Sequence, residues 1–213
     1  MKKFNKRFLS LMIVMSMLLS PLPAIADKPE VQKSSSTVTA TSESDFEFDS
    51  AKGEITGYKG NEKDLVIPSK IDGKQVYGLG KSALNGKGLT SVVLPEGMTY
   101  LKWGALGKND LTSVKMPSTM RRIEAYAFVL NKQLKHVELN KGLKSIETFA
   151  FANLPSLSGE MDIPSTVEWI GPKAFFKSNL ITLNIKGDEN SAPIVLKNAL
   201  SDHLNYINLE NER

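Results

Sequence analysis

Few residues in this sequence could do chemistry, and none is spaced for it. There are two histidines, His136 and His203, and no cysteine among 213 residues. Cysteine nucleophiles and zinc–thiolate sites are therefore excluded. His136 falls at an outward position of the strand-like segment LKHVELN and His203 in a loop before Leu204; neither belongs to a ligand-spaced cluster such as HExxH. No GxSxG elbow and no D-x-D-x-D-G calcium loop occurs. Gly78-Leu79-Gly80-Lys81-Ser82 ends like a phosphate-binding loop, but Gln75 stands where its first glycine is required. Lys186-Gly187-Asp188 is a KGD tripeptide, a sequence that can engage integrins, although three-residue matches are common by chance. Catalysis needs convergent titratable groups, so the expectation is a protein that is not an enzyme and uses no metal or cofactor.

The charge balance narrows the partners. The formal net charge is +4, but Lys2, Lys3, Lys6 and Arg7 lie in an opening stretch with no acidic residue, and the remainder is balanced. A basic nucleic-acid-binding surface is not expected. Met1–Ala26 reads as a secretory signal peptide. The basic start precedes the apolar run Phe8–Leu19, too short to span a bilayer comfortably, then Pro21-Leu22-Pro23 and the small-x-small Ala24-Ile25-Ala26. Cleavage is predicted between Ala26 and Asp27, giving a secreted or cell-surface protein with no membrane insertion afterwards. Lysines in the leader and the lack of cysteine favour a Gram-positive bacterium. Residues 27–45 are Ser/Thr-rich and nearly devoid of apolar side chains, which predicts a disordered, flexible linker.

Beyond the linker the chain repeats. Alanine followed by Leu or Phe recurs at Ala83, Ala105, Ala127, Ala150, Ala174 and Ala199, in steps of 22, 22, 23, 24 and 25 residues. An aliphatic residue sits four positions before the first five alanines (Leu79, Leu101, Ile123, Ile146, Ile170), and a leucine opening a short strand pattern follows each pair. In LTSVKMP the alternation Val114, Lys115, Met116 has period two, so one strand face is buried. A proline then ends pairing in four copies, Pro68, Pro95, Pro117 and Pro164. The small alanine lets neighbouring backbones approach, and the Phe or Leu after it fills the core. One unit cannot bury its own apolar face, but stacked units can. The expectation is a repeat solenoid of short strands and 3₁₀ or irregular turns. Phe46–Tyr58, alternating on both sides of Asp49–Gly53, predicts an N-terminal β-hairpin cap. Residues 46–78 then form the cap and a degenerate first repeat, and residues 79–213 the repeats proper. Leu209 closes the last predicted strand. That end is capped by its own charged residues, pairs with something, or continues.

The pattern L-x-x-V-x-L-P-x-x-V-x-x-I-x-x-x-A-F resembles the BspA-type (Treponema pallidum-type) leucine-rich repeats of bacterial surface proteins, and Phe46–Tyr77 resembles the segment that commonly precedes such arrays. The family often has a cysteine a few residues after A-F; every copy here lacks it. Leu84, Leu106 and Leu200 stand where Phe is usual, and Gly187–Pro193 is an insertion. The resemblance implies a right-handed leucine-rich-repeat β-solenoid and an exported binding module. Its partner would be a protein: a host extracellular-matrix or plasma protein, or a bacterial surface protein. The alternative is a structural spacer module of a larger surface protein.

Outward positions are where such a partner would be met. One row holds Val93, Lys115, Glu138, Asp162 and Asn184; Ser91, Ser113, His136 and Thr182 lie beside it. Aromatics at outward positions are the sharper candidates. Tyr100 and Trp169 precede the buried Leu101 and Ile170, whereas Trp103, Tyr126 and Phe149 lie between that aliphatic and the Ala-Leu/Phe pair. The candidate protein-binding residues are Tyr100, Trp103, Tyr126, Phe149, Trp169, Lys115 and Glu138, against the alternative that the rings pack between coils.

Overall fold

The computed structural model describes residues 39–186 and the strands Ile194–Val195 and Tyr206–Glu210. The signal-peptide segment, His203, the insertion with most of the KGD tripeptide, and Ala199-Leu200 lie outside the described residues.

The chain winds as a β-solenoid. The strands β1 (Phe46–Asp49) and β2 (Glu54–Tyr58) form the expected antiparallel hairpin. β3 (Asp64–Val66), the small antiparallel pair β4 (Lys70–Ile71) and β5 (Lys74–Gln75), and β6 (Gly78–Leu79) complete the degenerate coil. Two short strands per coil follow: β7 (Ser91–Val93) and β8 (Tyr100–Leu101), β9 (Ser113–Lys115) and β10 (Arg122–Ile123), β11 (His136–Glu138) and β12 (Ser145–Ile146). Next come β13 (Ser158–Ile163), β14 (Trp169–Ile170), β15 (Asn179–Lys186), β16 (Ile194–Val195) and β17 (Tyr206–Glu210). The even strands from β6 to β16 stack in parallel, and with β1 and β2 they make one sheet of eight strands. The odd strands make the other strand face, split into β3–β7, β9–β11 and β13–β15–β17.

The linker assignment is corrected at its C-terminal end. Residues 41–45 are built into the cap, where Thr41 is 6% exposed, its N–H donates to Val66 C=O and its hydroxyl accepts from Val66 N–H. Glu43–Asp45 forms a 3₁₀ turn, and the Glu43 carboxylate accepts the Asp72 N–H. Composition concealed this because the contacts are made by backbone, a hydroxyl and a carboxylate, not by apolar burial.

Every aliphatic and Ala-Leu/Phe anchor from Leu79 to Phe175 is buried. The alanine matters because the turns themselves are laddered: Tyr126, Phe128 and Leu130 N–H donate to Thr148, Ala150 and Ala152 C=O of the next coil, and the other coils repeat this. Within each turn, two i→i+3 bonds, such as Ala127 to Glu124 and Val129 to Tyr126, close successive bends. Each turn places two residues at positive φ. One directly precedes the alanine (Ser82, Gly104, Tyr126, Phe149, Lys173), and one lies three after it (Gly86, Lys108, Leu130, Asn153, Lys177). Four positions after the alanine, Asn109 and Asn131 are buried and donate Nδ2 to carbonyls of their own and the preceding coil. Inside the turn Phe128, Phe151 and Phe175 stack, with centroids 5.2 and 5.7 Å apart.

Candidate functional site

The seven candidate residues fall on three separate surfaces. Lys115 and Glu138 are in register on β9 and β11, where their exposed side chains form an ion pair at 2.6 Å. Such a pair is solvated and contributes little. One member of that row is corrected: Val93 and Asp162 are exposed, but Asn184 is buried, and it donates Nδ2 to Glu160 and Asp162.

Tyr100 and Trp169 share a row of the eight-stranded sheet, but Arg122 and Ser145 stand between them. Both are half-buried and tied to carboxylates, Tyr100 Oη to Glu54 Oε2 at 3.1 Å and Trp169 Nε1 to Glu147 Oε2 at 3.2 Å. Glu54 is itself buried and ion-paired with Lys102, whose ammonium lies 5.4 Å from the Tyr100 ring centroid. The Tyr100 ring covers Gly78, where a Cβ would collide with it. Burial, then the Glu54 charge, pushes the Tyr100 phenol up to about 12. These two aromatics pack on the sheet face.

Trp103, Tyr126 and Phe149 are brought together. Their centroids are 5.4 and 5.1 Å apart, and Phe149 meets Phe176 edge-on at 6.1 Å. Phe176 was missed by the sequence reading because it sits two residues after Ala174, not before an alanine; the Phe175-Phe176 doublet was the available signal. Trp103 is 44% exposed and the other three are half-buried. Lysines stand over the ends of this outer ladder. Lys81 lies 5.4 Å from the Trp103 ring centroid, and Lys173 and Lys177 lie 5.5 and 5.3 Å from that of Phe176. Cations over ring faces are attracted by the ring quadrupole.

Two members of the ladder occupy strained backbone. Tyr126 has φ +62° and Phe149 φ +57°, a region that bulky side chains rarely adopt and that costs about 1–3 kcal/mol for a non-glycine residue. The equivalent position in the neighbouring coil is Gly104. Ser82 and Lys173 take the same conformation in their coils, so the turn imposes it on every repeat whatever the side chain. Among the described residues no group of three or more His, Asp or Glu side chains is placed to hold a metal ion, and no helix is long and apolar enough to cross a membrane.

The stacked coils, laddered turns and single aliphatic-and-Phe core define a leucine-rich-repeat solenoid. The model of the BspA-type leucine-rich repeat region matches residues 63–182 in six copies, and the chain belongs to that family. Its fold is similar to that of a T. pallidum leucine-rich repeat protein, with a TM-score of 0.68 at 22% identity over 82% of this chain and 84% of that one. The pneumococcal vaccine antigen PcpA is similar at a TM-score of 0.52 and 22% identity, over 61% of this chain but only 31% of PcpA. No curated protein matches the sequence at a significant level.

Proposed function

We propose that this protein is an exported, non-catalytic binding module that docks a protein partner on the outer ladder Trp103–Tyr126–Phe149–Phe176. The observation that carries the reading is the outer ladder itself: four rings from three different repeat positions meet at 5.4, 5.1 and 6.1 Å outside the core, with Trp103 44% exposed. Partly exposed aromatics are also a composition that interfaces favour over the rest of a surface. Family membership supports protein binding as the class of activity, with adhesion to host matrix or plasma proteins, or to other cells, as its form here.

The test is binding of the purified chain to immobilised fibrinogen, fibronectin, collagen and laminin, beside a Trp103→Ser/Phe176→Ser variant shown to be folded. Saturable binding that the variant loses is the expected result. Binding that survives removes the ladder as the site and keeps the adhesin. Silence of the folded protein on every surface favours the spacer module.

A further inference from the structure

The two strand faces of the solenoid are not equally closed. Between the coil of β11–β12 and that of β13–β14, the even face is continuous: Ser145 pairs with Trp169 and Ile146 with Ile170. The turns are laddered too, Phe151 N–H donating to Ala174 C=O. On the odd face β11 pairs only with β9 and β13 only with β15. The sequence of the two coils differs there by one residue. Leu134 and Val137 are three apart, whereas their counterparts Leu157 and Met161 are four apart. Gly159 in that stretch stands at φ +80°, and the pairing with β15 shifts beside it, Gly159 facing Leu180 and Glu160 facing Thr182, with Ile181 of β15 skipped.

A groove of about 590 Å³ lies at this break. Its apolar lining includes Val137 and Leu139 from one coil and Leu157, Met161 and Pro164 from the next. Its strand edges are open. Met116 N–H donates to Glu138 C=O, and backbone groups alternate sides along a parallel ladder, so Val137 turns its N–H and C=O away from β9 and toward the groove. The β13 wall carries Glu160 and Asp162, brought together by the Asn184 amide at 3.1 and 3.2 Å; the lining lysines, Lys135 and Lys141, flank β11.

We propose that this groove is a strand-addition site for an extended segment of a partner protein in which apolar and basic residues alternate. Its backbone pairs with the open edges, its apolar residues enter between Val137 and Met161, and its lysines or arginines stand outward beside Glu160 and Asp162. The molecule already contains this arrangement one coil earlier, where Lys115 of β9 lies in register with Glu138 of β11 and pairs with it at 2.6 Å. Main-chain pairing with side-chain selection on alternate positions is how exposed strand edges bind peptides.

The experiment uses the full chain labelled with ¹⁵N, titrated with three synthetic peptides: acetyl-TVKVKVT-amide, its glutamate counterpart acetyl-TVEVEVT-amide, and acetyl-TVKPKVT-amide, which lacks the central N–H. The expected result is saturable amide shifts confined to His136–Glu138 and Ser158–Asp162 with the first peptide. Both others should bind at least about tenfold more weakly. A Glu160→Lys variant, in which Asp162 still accepts the Asn184 amide, should reverse the preference between lysine and glutamate peptides. Three results overturn the proposal: equal binding of all three peptides, shifts centred elsewhere such as the outer aromatic ladder, or no shifts with the first peptide up to about 1 mM.

Discussion

Phe128, Phe151 and Phe175 line the inside of the turn column with ring planes only 4° apart, while Trp103, Tyr126, Phe149 and Phe176 line its outside with successive planes turned by 50°, 19° and 87°. The inner rings all occupy the position after the alanine, so moving from coil to coil superimposes one on the next. The outer rings come from two before, one before, one before and two after the alanine, and no single repeat translation relates them. The inner rings are fully buried, whereas the outer ones reach solvent and lysines. An aromatic column produced by the repeat serves the core. One assembled from unlike repeat positions is not a by-product of the period.

Phe151→Ala would test the core side of that contrast most severely. It removes the middle ring of the inner column and should cost about 3–5 kcal/mol, measured by chemical denaturation of the otherwise intact chain. Asn109→Ala comes next. Its Nδ2 donates to Leu84 and Leu106 C=O and its Oδ1 accepts the Leu89 N–H, so truncation orphans buried backbone groups at about 1–3 kcal/mol.

Tyr126→Gly sharpens the contrast from the outer side. Relief of the positive φ offsets the lost ring contacts and the added freedom of the unfolded chain. Stability should therefore move by no more than about 1 kcal/mol while partner binding is lost. A destabilisation as large as that of Phe151→Ala would make the outer column structural and break the comparison.

Tyr100→Phe probes an aromatic that belongs to neither column. A phenol raised above its ordinary value of 10.0 keeps its proton in the folded state after the unfolded chain has released its own. The stability it confers is intact below pH 10.0 and falls as the pH rises toward about 12. The variant should lose that part of the alkaline decline, seen as the difference between two denaturation series. Lys115→Ala, breaking an exposed pair, should leave stability unchanged within error, and it checks that the outward charge row is only a solvated face.

Much of this was legible in the residue order. The Ala-Leu/Phe anchors, the aliphatic four residues before them, the hairpin around Asp49–Gly53 and the outward phase of Trp103, Tyr126 and Phe149 all follow from spacing, because one-dimensional stacking converts sequence period directly into neighbourhood. Period says less about residues at unlike phases. Tyr100 and Trp169 looked equivalent to Trp103 by exposure pattern, yet each is held on the sheet by a carboxylate, Glu54 or Glu147, and Glu54 lies 46 residues from Tyr100.

By itself, then, the sequence determined the coil length, the buried face of each strand, the close approach at the alanines and the cap, since these depend on residue type at a repeated position. Tertiary structure alone decided that Phe176 joins Phe149, that Tyr126 and Phe149 bear positive φ, that Thr41 is built into the cap, and that β11 and β13 part while β12 and β14 stay paired. The physical reason is that these features depend on how neighbouring coils are offset in space, and a one-residue offset leaves the hydrophobic pattern almost unchanged while it redirects backbone hydrogen bonds.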